Sequence, residues 1–155
     1  MKTLILYATK HGAAREIAQR IANKITGAAL HDLKQGGILP LAEFDCVIIG
    51  SSVYVGMIRK EAKAFLMQYA QDLQGKKLGL FVCGLDGAQE QEYFKTNFSP
   101  DILQTAKAIS FLGGIFDPKK ASIIERFMVR VAAKQSGYTD TIDNSRIAQF
   151  VEEMR

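Results

Sequence analysis

The chain has 155 residues, of which 48% are hydrophobic and 23% charged, and it carries a net charge of +4 at pH 7. That length favours one domain, 1–155, able to bury about two-thirds of its unfolded surface without staples. The charge is too small to argue for nucleic acid. The two cysteines, Cys46 and Cys83, make no Cys/His cluster that would hold a structural metal. No apolar run reaches the roughly 18 residues of a membrane span, and no secretory leader is read at the N-terminus. The expected location is the cytoplasm, with reduced thiols.

In chain order, residues 2–8 read as a strand that stops at Thr9-Lys10-His11-Gly12-Ala13-Ala14. A helix is predicted over 13–26, with Ile17, Ala18, Ile21, Ala22 and Ile25 on one face. Gly27 is a stop signal, 28–33 a short second strand and Gly36-Gly37 a loop. Asp45–Gly50 reads as a buried strand leading into Ser51-Ser52-Val53-Tyr54-Val55-Gly56. A helix is predicted over 59–73 and a fourth strand over 77–83, ending at Gly84-Leu85-Asp86-Gly87. Helical sequence runs to about 107, a fifth strand covers 108–114, and helices are predicted over 120–135 and 143–154.

Alternating helices and continuous apolar strands predict a parallel sheet covered on both faces. Five strands in this length fit an α/β three-layer sandwich with the flavodoxin-like strand order 2-1-3-4-5. Cys46 opens its strand and Cys83 closes the neighbouring one. They therefore belong at opposite ends of the sheet, and no disulfide is expected.

In such sheets ligands bind beyond the carboxyl ends of the strands. Three loops leave those ends with small or polar residues. Thr9 brings a hydroxyl, and Lys10, His11, Gly12, Ala13 and Ala14 bring backbone N–H groups at a helix N-terminus, a setting that favours a phosphate. The stretch is neither a Walker loop nor a GxGxxG turn, and the alternative is an ordinary strand-to-helix turn. In the second loop, Ser52, Val53, Tyr54, Val55 and Gly56 place a tyrosine that either lies against an aromatic ligand or packs over the next helix. In the third, Gly84, Leu85, Asp86 and Gly87 either offer backbone groups to a ring edge or form a plain turn. Together the loops suit a planar ring bearing one phosphate, for which flavin mononucleotide (FMN) is the natural candidate.

At these residues the chain resembles the flavodoxin family. Thr9 and Gly12 match its phosphate loop, (S/T)-x-T-G-x-T, whereas His11 and Ala14 stand where hydroxyl residues are usual. Val47-Ile48-Ile49-Gly50-Ser51-Ser52 resembles the strand that leads to the second flavin loop. The third loop has no aromatic residue, and the nearest is Tyr93. A closer resemblance is to the bacterial menaquinone-dependent protoporphyrinogen dehydrogenases, which share this fold. It rests on Met1–Leu6 with Arg15-Glu16-Ile17-Ala18, on Val47–Ser52, and on Arg126-Phe127-Met128 followed by Ser136-Gly137 and Thr139-Asp140-Thr141. That resemblance implies FMN, a porphyrinogen as reductant in heme biosynthesis and a quinone as electron acceptor. The alternatives are a flavodoxin-type electron carrier and a flavin-free regulatory module. No catalytic acid or base is assigned.

Residues 119–135 add a separate feature. Arg126, Arg130 and Lys134 form a basic stripe behind Lys119 and Lys120, beside an apolar face of Ile123, Ile124, Phe127, Met128 and Val131. Such a helix either lies on an anionic membrane surface, where quinones dissolve, or attracts the propionates of a porphyrin. The third possibility is that it buries its apolar face on the sheet.

Overall fold

The computed structural model describes residues 1–37, 40–132 and 137–155. Strand β1 (Thr3–Ala8) is buried along its whole length, as a strand between two helical layers must be. It pairs in parallel with β2 (Ala29–Asp32) on one side and with β3 (Cys46–Tyr54) on the other. Beyond β3 come β5 (Lys77–Cys83) and the edge strand β6 (Ala106–Phe111), giving the order β2-β1-β3-β5-β6. With the hairpin strand β4 (Met57–Ile58) set aside, this is the predicted 2-1-3-4-5 order.

Alternation along the strands sorts the core into two layers. Ile5, Ile48 and Phe81 face α1 (Ala13–Ala22) and α6 (Asn144–Glu153), which bury Ile17, Ile21, Ile147 and Phe150 against them. Leu4, Leu6, Val47, Ile49 and Leu80 face α2 (Lys60–Gln68) and α3 (Glu90–Asn97), which contribute Ala62, Phe65, Leu66 and Phe94. A short helix, α4 (Pro100–Thr105), is capped by Ser99, whose hydroxyl accepts from the Ile102 N–H. It leads directly into β6.

Two close approaches explain glycines in the strands. A Cβ at Gly50 would lie 1.9 Å from the Phe81 ring, its neighbour across the β3–β5 ladder. At Gly79 a Cβ would meet Met154 at 2.8 Å and Phe150 at 2.9 Å, the residues with which α6 packs on the sheet. Cys46 pairs opposite Lys77 and Cys83 opposite Ser52, so the two thiols lie at opposite ends of their strands, buried and free, as expected.

Several boundaries differ from the sequence-based expectations. Helix α1 stops at Ala22 and α2 at Gln68, each followed by turns, and the fifth parallel strand begins at Ala106. The second loop is largely strand. β3 runs on to Tyr54 and folds back through Val55 and Gly56 onto β4, with Val53 opposite Ile58 and Tyr54 opposite Met57. The chain after β6 forms a further antiparallel pair, β7 (Ile115–Phe116) with β8 (Thr139–Asp140), and between them lies α5 (Ile123–Ala132). The predicted helix residues 133–135 lie outside the described residues.

Candidate functional site

The three strand-end loops surround one cleft of about 370 Å3, within the range of about 300–1,000 Å3 usual for small-molecule sites. Its walls include Thr9, Lys10, His11 and Ala13 from the first loop. The hairpin contributes Ser52, Val53, Tyr54, Val55 and Gly56, and the third loop contributes Gly84, Leu85 and Asp86. Three predicted residues are not on the walls. Ala14 is fully buried on the sheet-facing side of α1. Gly12 shapes the turn through its backbone. Gly87 opens a short 3-10 turn, where a Cβ would meet the Phe111 ring at 3.2 Å.

The first loop is built for an open helix end. Gly12 takes φ +102°, a left-handed conformation natural to glycine, and starts α1 with no side-chain cap. The Thr9 hydroxyl accepts from the Gly12 N–H at 2.8 Å and so closes the turn. The N–H groups of the first helical turn, with the positive end of the helix dipole, are thereby directed at the loop.

In Gly50-Ser51-Ser52 each residue has a different task. Gly50 leaves room for Phe81. The buried Ser51 hydroxyl accepts from the Arg59 N–H at 2.9 Å where α2 begins. The Ser52 hydroxyl is buried on the cleft wall without a hydrogen-bond partner among the described residues. An orphaned hydroxyl is costly and marks a place for a polar ligand atom.

The hairpin is pinned from behind by Asn97 of α3. Its side-chain amide donates to the carbonyls of Gly56 (2.9 Å) and Tyr93 (2.7 Å) and accepts from the Ile58 N–H (2.9 Å). At the hairpin tip Val55 has φ +50°, uncommon for a β-branched residue, and its side chain is 67% exposed.

Sequence reasoning missed a buried, ion-paired carboxylate on the cleft wall. Glu125, near the start of α5, is 8% exposed on the cleft wall. Its carboxylate takes the Lys10 ammonium at 2.9 Å and His11 Nε2 at 2.8 Å. Burial pushes its pKa up, but the hydrogen bonds from Lys10 and His11, the His11 charge and the Ser122 hydroxyl outweigh burial and hold it at about 2. The Lys10 ammonium also sits over the Tyr54 ring, 4.0 Å from its centroid, joining the first loop to the hairpin. A glutamate in an amphipathic helix carries no local mark of such a role.

Other walls were also unforeseen. Ile115 and Phe116 of β7 and Val129 of α5 face the cleft. Tyr93 reaches it from α3, stacked on Phe111 with centroids 6.0 Å apart. Cys83 lies at its floor, where burial pushes the thiol up to about 12. The thiol is neutral at pH 7 and acts as a small apolar group. Of the predicted apolar stripe of α5, Ile123, Ile124 and Phe127 are 78%, 68% and 66% exposed rather than buried on the sheet, and the side chains of Met128 and Val131 lie outside those described. The helix turns Glu125 and Val129 inward instead, and Lys119, Lys120, Arg126 and Arg130 are exposed around it. Lys134 lies outside the described residues.

A parallel sheet in this order, with its cleft at the carboxyl ends of the strands, defines a flavodoxin-like architecture. The flavodoxin domain model matches residues 4–143, and the chain belongs to that family. It is 26% identical to the protoporphyrinogen IX dehydrogenase (quinone) of Escherichia coli strain K12, in an alignment covering 99% of this chain and 94% of that protein. Among solved structures it is similar to a short-chain flavodoxin associated with a non-canonical PDU bacterial microcompartment. That match has a TM-score of 0.61, 16% identity and coverage of 99% of this chain and 96% of that one. It is also similar to a Fusobacterium nucleatum flavodoxin bound to flavin mononucleotide, with a TM-score of 0.53, 16% identity and coverage of 99% and 92%.

Proposed function

We propose that the chain binds FMN in this cleft and acts as an oxidoreductase that takes electrons from a porphyrinogen and delivers them to a quinone. The observation that carries the cofactor assignment is the convergence of an uncapped helix end at Gly12 and an orphaned Ser52 hydroxyl on one apolar-walled cleft. These groups fit FMN: the Lys10–Ala14 stretch suits its phosphate, and the Ser52 hydroxyl suits a polar atom of its ribityl chain or ring. Tyr54, Tyr93 and Leu85 supply flat and apolar surface for the ring.

Bound FMN supplies the two-electron chemistry of the reaction. The chain's own residues bind and orient. Thr9 holds the phosphate turn closed through the Gly12 N–H. Asn97 fixes the hairpin that carries Tyr54. The Asp86 carboxylate accepts from the Ala88 N–H at 3.1 Å and shapes the third loop. Cys83 stays protonated and gives the floor a small apolar group.

The porphyrinogen and the quinone rest on the similarity to the Escherichia coli dehydrogenase. The exposed Ile123, Ile124 and Phe127 beside Arg126 and Arg130 support a peripheral contact with an anionic membrane, where a quinone would be met. Among the described residues no helix is long and apolar enough to cross a membrane.

The test is anaerobic mixing of FMN-loaded protein with protoporphyrinogen IX, with and without a menaquinone analogue, followed by porphyrin fluorescence. A quinone-dependent rise is expected. A flat trace from flavin-loaded protein would favour the second reading, a flavodoxin-type electron carrier, which the family match and the flavodoxin neighbours support.

A further inference from the structure

Glu125 presents a carboxylate to the same basic side chains that flank the loop assigned to a phosphate. Its helix is oriented for that contact. Ser122 caps α5 by accepting from the Glu125 N–H at 3.1 Å, and Ile123, Ile124 and Phe127 point to solvent while Glu125 turns inward.

We propose that Glu125 is a specificity-determining residue, a built-in anion that a ligand's phosphate monoester must displace from Lys10 and His11 to bind. The inference rests on the cofactor reading given above. A carboxylate and a phosphate dianion compete for the single His11 Nε2 and for the Lys10 ammonium, and each disfavours the other by like-charge repulsion. The loop therefore exchanges between a Glu125-paired state and a phosphate-competent state. Apparent affinity for the phosphate ligand is reduced by the fraction of loop that is competent. Because Glu125 tethers α5, entry of the phosphate also frees that helix from the first loop. The penalty applies to ligands with a phosphate and leaves ligands without one unaffected.

The experiment titrates the full chain with FMN and with riboflavin, which has the same ring and ribityl chain but no phosphate, and reads quenching of flavin fluorescence. Wild type is compared with Glu125→Gln, nearly isosteric but uncharged, and with Glu125→Ala. FMN is expected to bind both variants about tenfold more tightly than wild type, as relief from a roughly 90% paired loop gives. Riboflavin is expected to bind all three alike, which also verifies that the cleft is folded. FMN binding by the variants alone would support the proposal equally. FMN binding that is equal or weaker in the variants would overturn it and make Glu125 a scaffold for Lys10 and His11, leaving the cofactor reading intact. No FMN binding by any of the three would overturn both.

Discussion

At the residue scale the cleft departs from ordinary structural preference at three positions, and each makes a prediction. Val55 holds φ +50° at a hairpin tip with most of its side chain in solvent. A β-branched residue in the left-handed region costs about 1–2 kcal/mol, and little packing offsets it here. Val55→Asn should raise the unfolding free energy by about 1 kcal/mol, visible as a higher urea midpoint at unchanged slope. Ser52 carries a buried hydroxyl that is unpartnered among the described residues. Ser52→Ala should leave the cofactor-free protein as stable as wild type or more so, while weakening FMN binding by about 1 kcal/mol. A fluorescence titration and a urea curve on the same variant separate the two effects.

Glu125 makes the third prediction. Its carboxyl is depressed to about 2 in the folded chain, below the roughly 4.3 of an unperturbed glutamate. A depressed carboxyl contributes stability that is present above the unfolded pKa and lost as pH falls toward the folded one. The difference in Tm between wild type and Glu125→Gln should move toward zero as pH is lowered from about 4.5 to 2.5. A gap independent of pH over that range would mean that the pair does not operate in solution.

At the scale of elements, the strand ends matter most. Gly50 lets β3 lie against Phe81 of β5, and Gly50→Ala forces a Cβ to within 1.9 Å of that ring. Overpacking of this kind costs about 1–3 kcal/mol, and thermal melting will register it. Asn97 holds the hairpin through two hydrogen bonds, to the Gly56 carbonyl and from the Ile58 N–H, and is itself steadied by a third to the Tyr93 carbonyl of its own helix. Asn97→Leu leaves the buried Ile58 N–H without its partner, at about 1–3 kcal/mol. It should also loosen Tyr54, so faster amide exchange confined to residues 53–58 is expected beyond any global loss.

These elements also show what the sequence could and could not reveal. The apolar runs of β1, β3 and β5 and the small residues after each were legible, because a buried parallel strand and a turn differ sharply in composition. The β3–β4 hairpin was not, since valine is a poor signal for a left-handed turn and the paired segment is only two residues long. The β7–β8 pair escaped for the same reason of length. For α5, periodicity identified the residues that share a stripe but not what covers them. Neither the exposure of Ile123, Ile124 and Phe127 nor the inward turn of Glu125 could be read before the packing was known.

At the scale of the whole molecule, the strand-end cleft proposed for the cofactor and the exposed basic-apolar helix adjoin each other. Val55 of the hairpin and Val129 of α5 both line the cleft, while Phe127 and the two arginines of α5 face outward. A membrane contact made by α5 would set the cleft mouth at the lipid surface. Each basic residue near an anionic bilayer contributes about 1 kcal/mol, so Arg126→Gln with Arg130→Gln should weaken sedimentation with anionic vesicles by about thirtyfold. Wild type should show little binding to neutral vesicles, and high salt should release it from anionic ones.

The central claim is that the three strand-end loops together hold FMN. The most direct measurement is a titration of isotopically labelled protein with FMN, followed by amide chemical shifts. The account predicts saturation at one equivalent, with the largest shifts at Lys10–Arg15, Ser52–Gly56 and Gly84–Asp86, and small ones at the opposite end of the sheet around Thr3 and Cys46. Saturable shifts centred elsewhere, or no shifts at all, would contradict it.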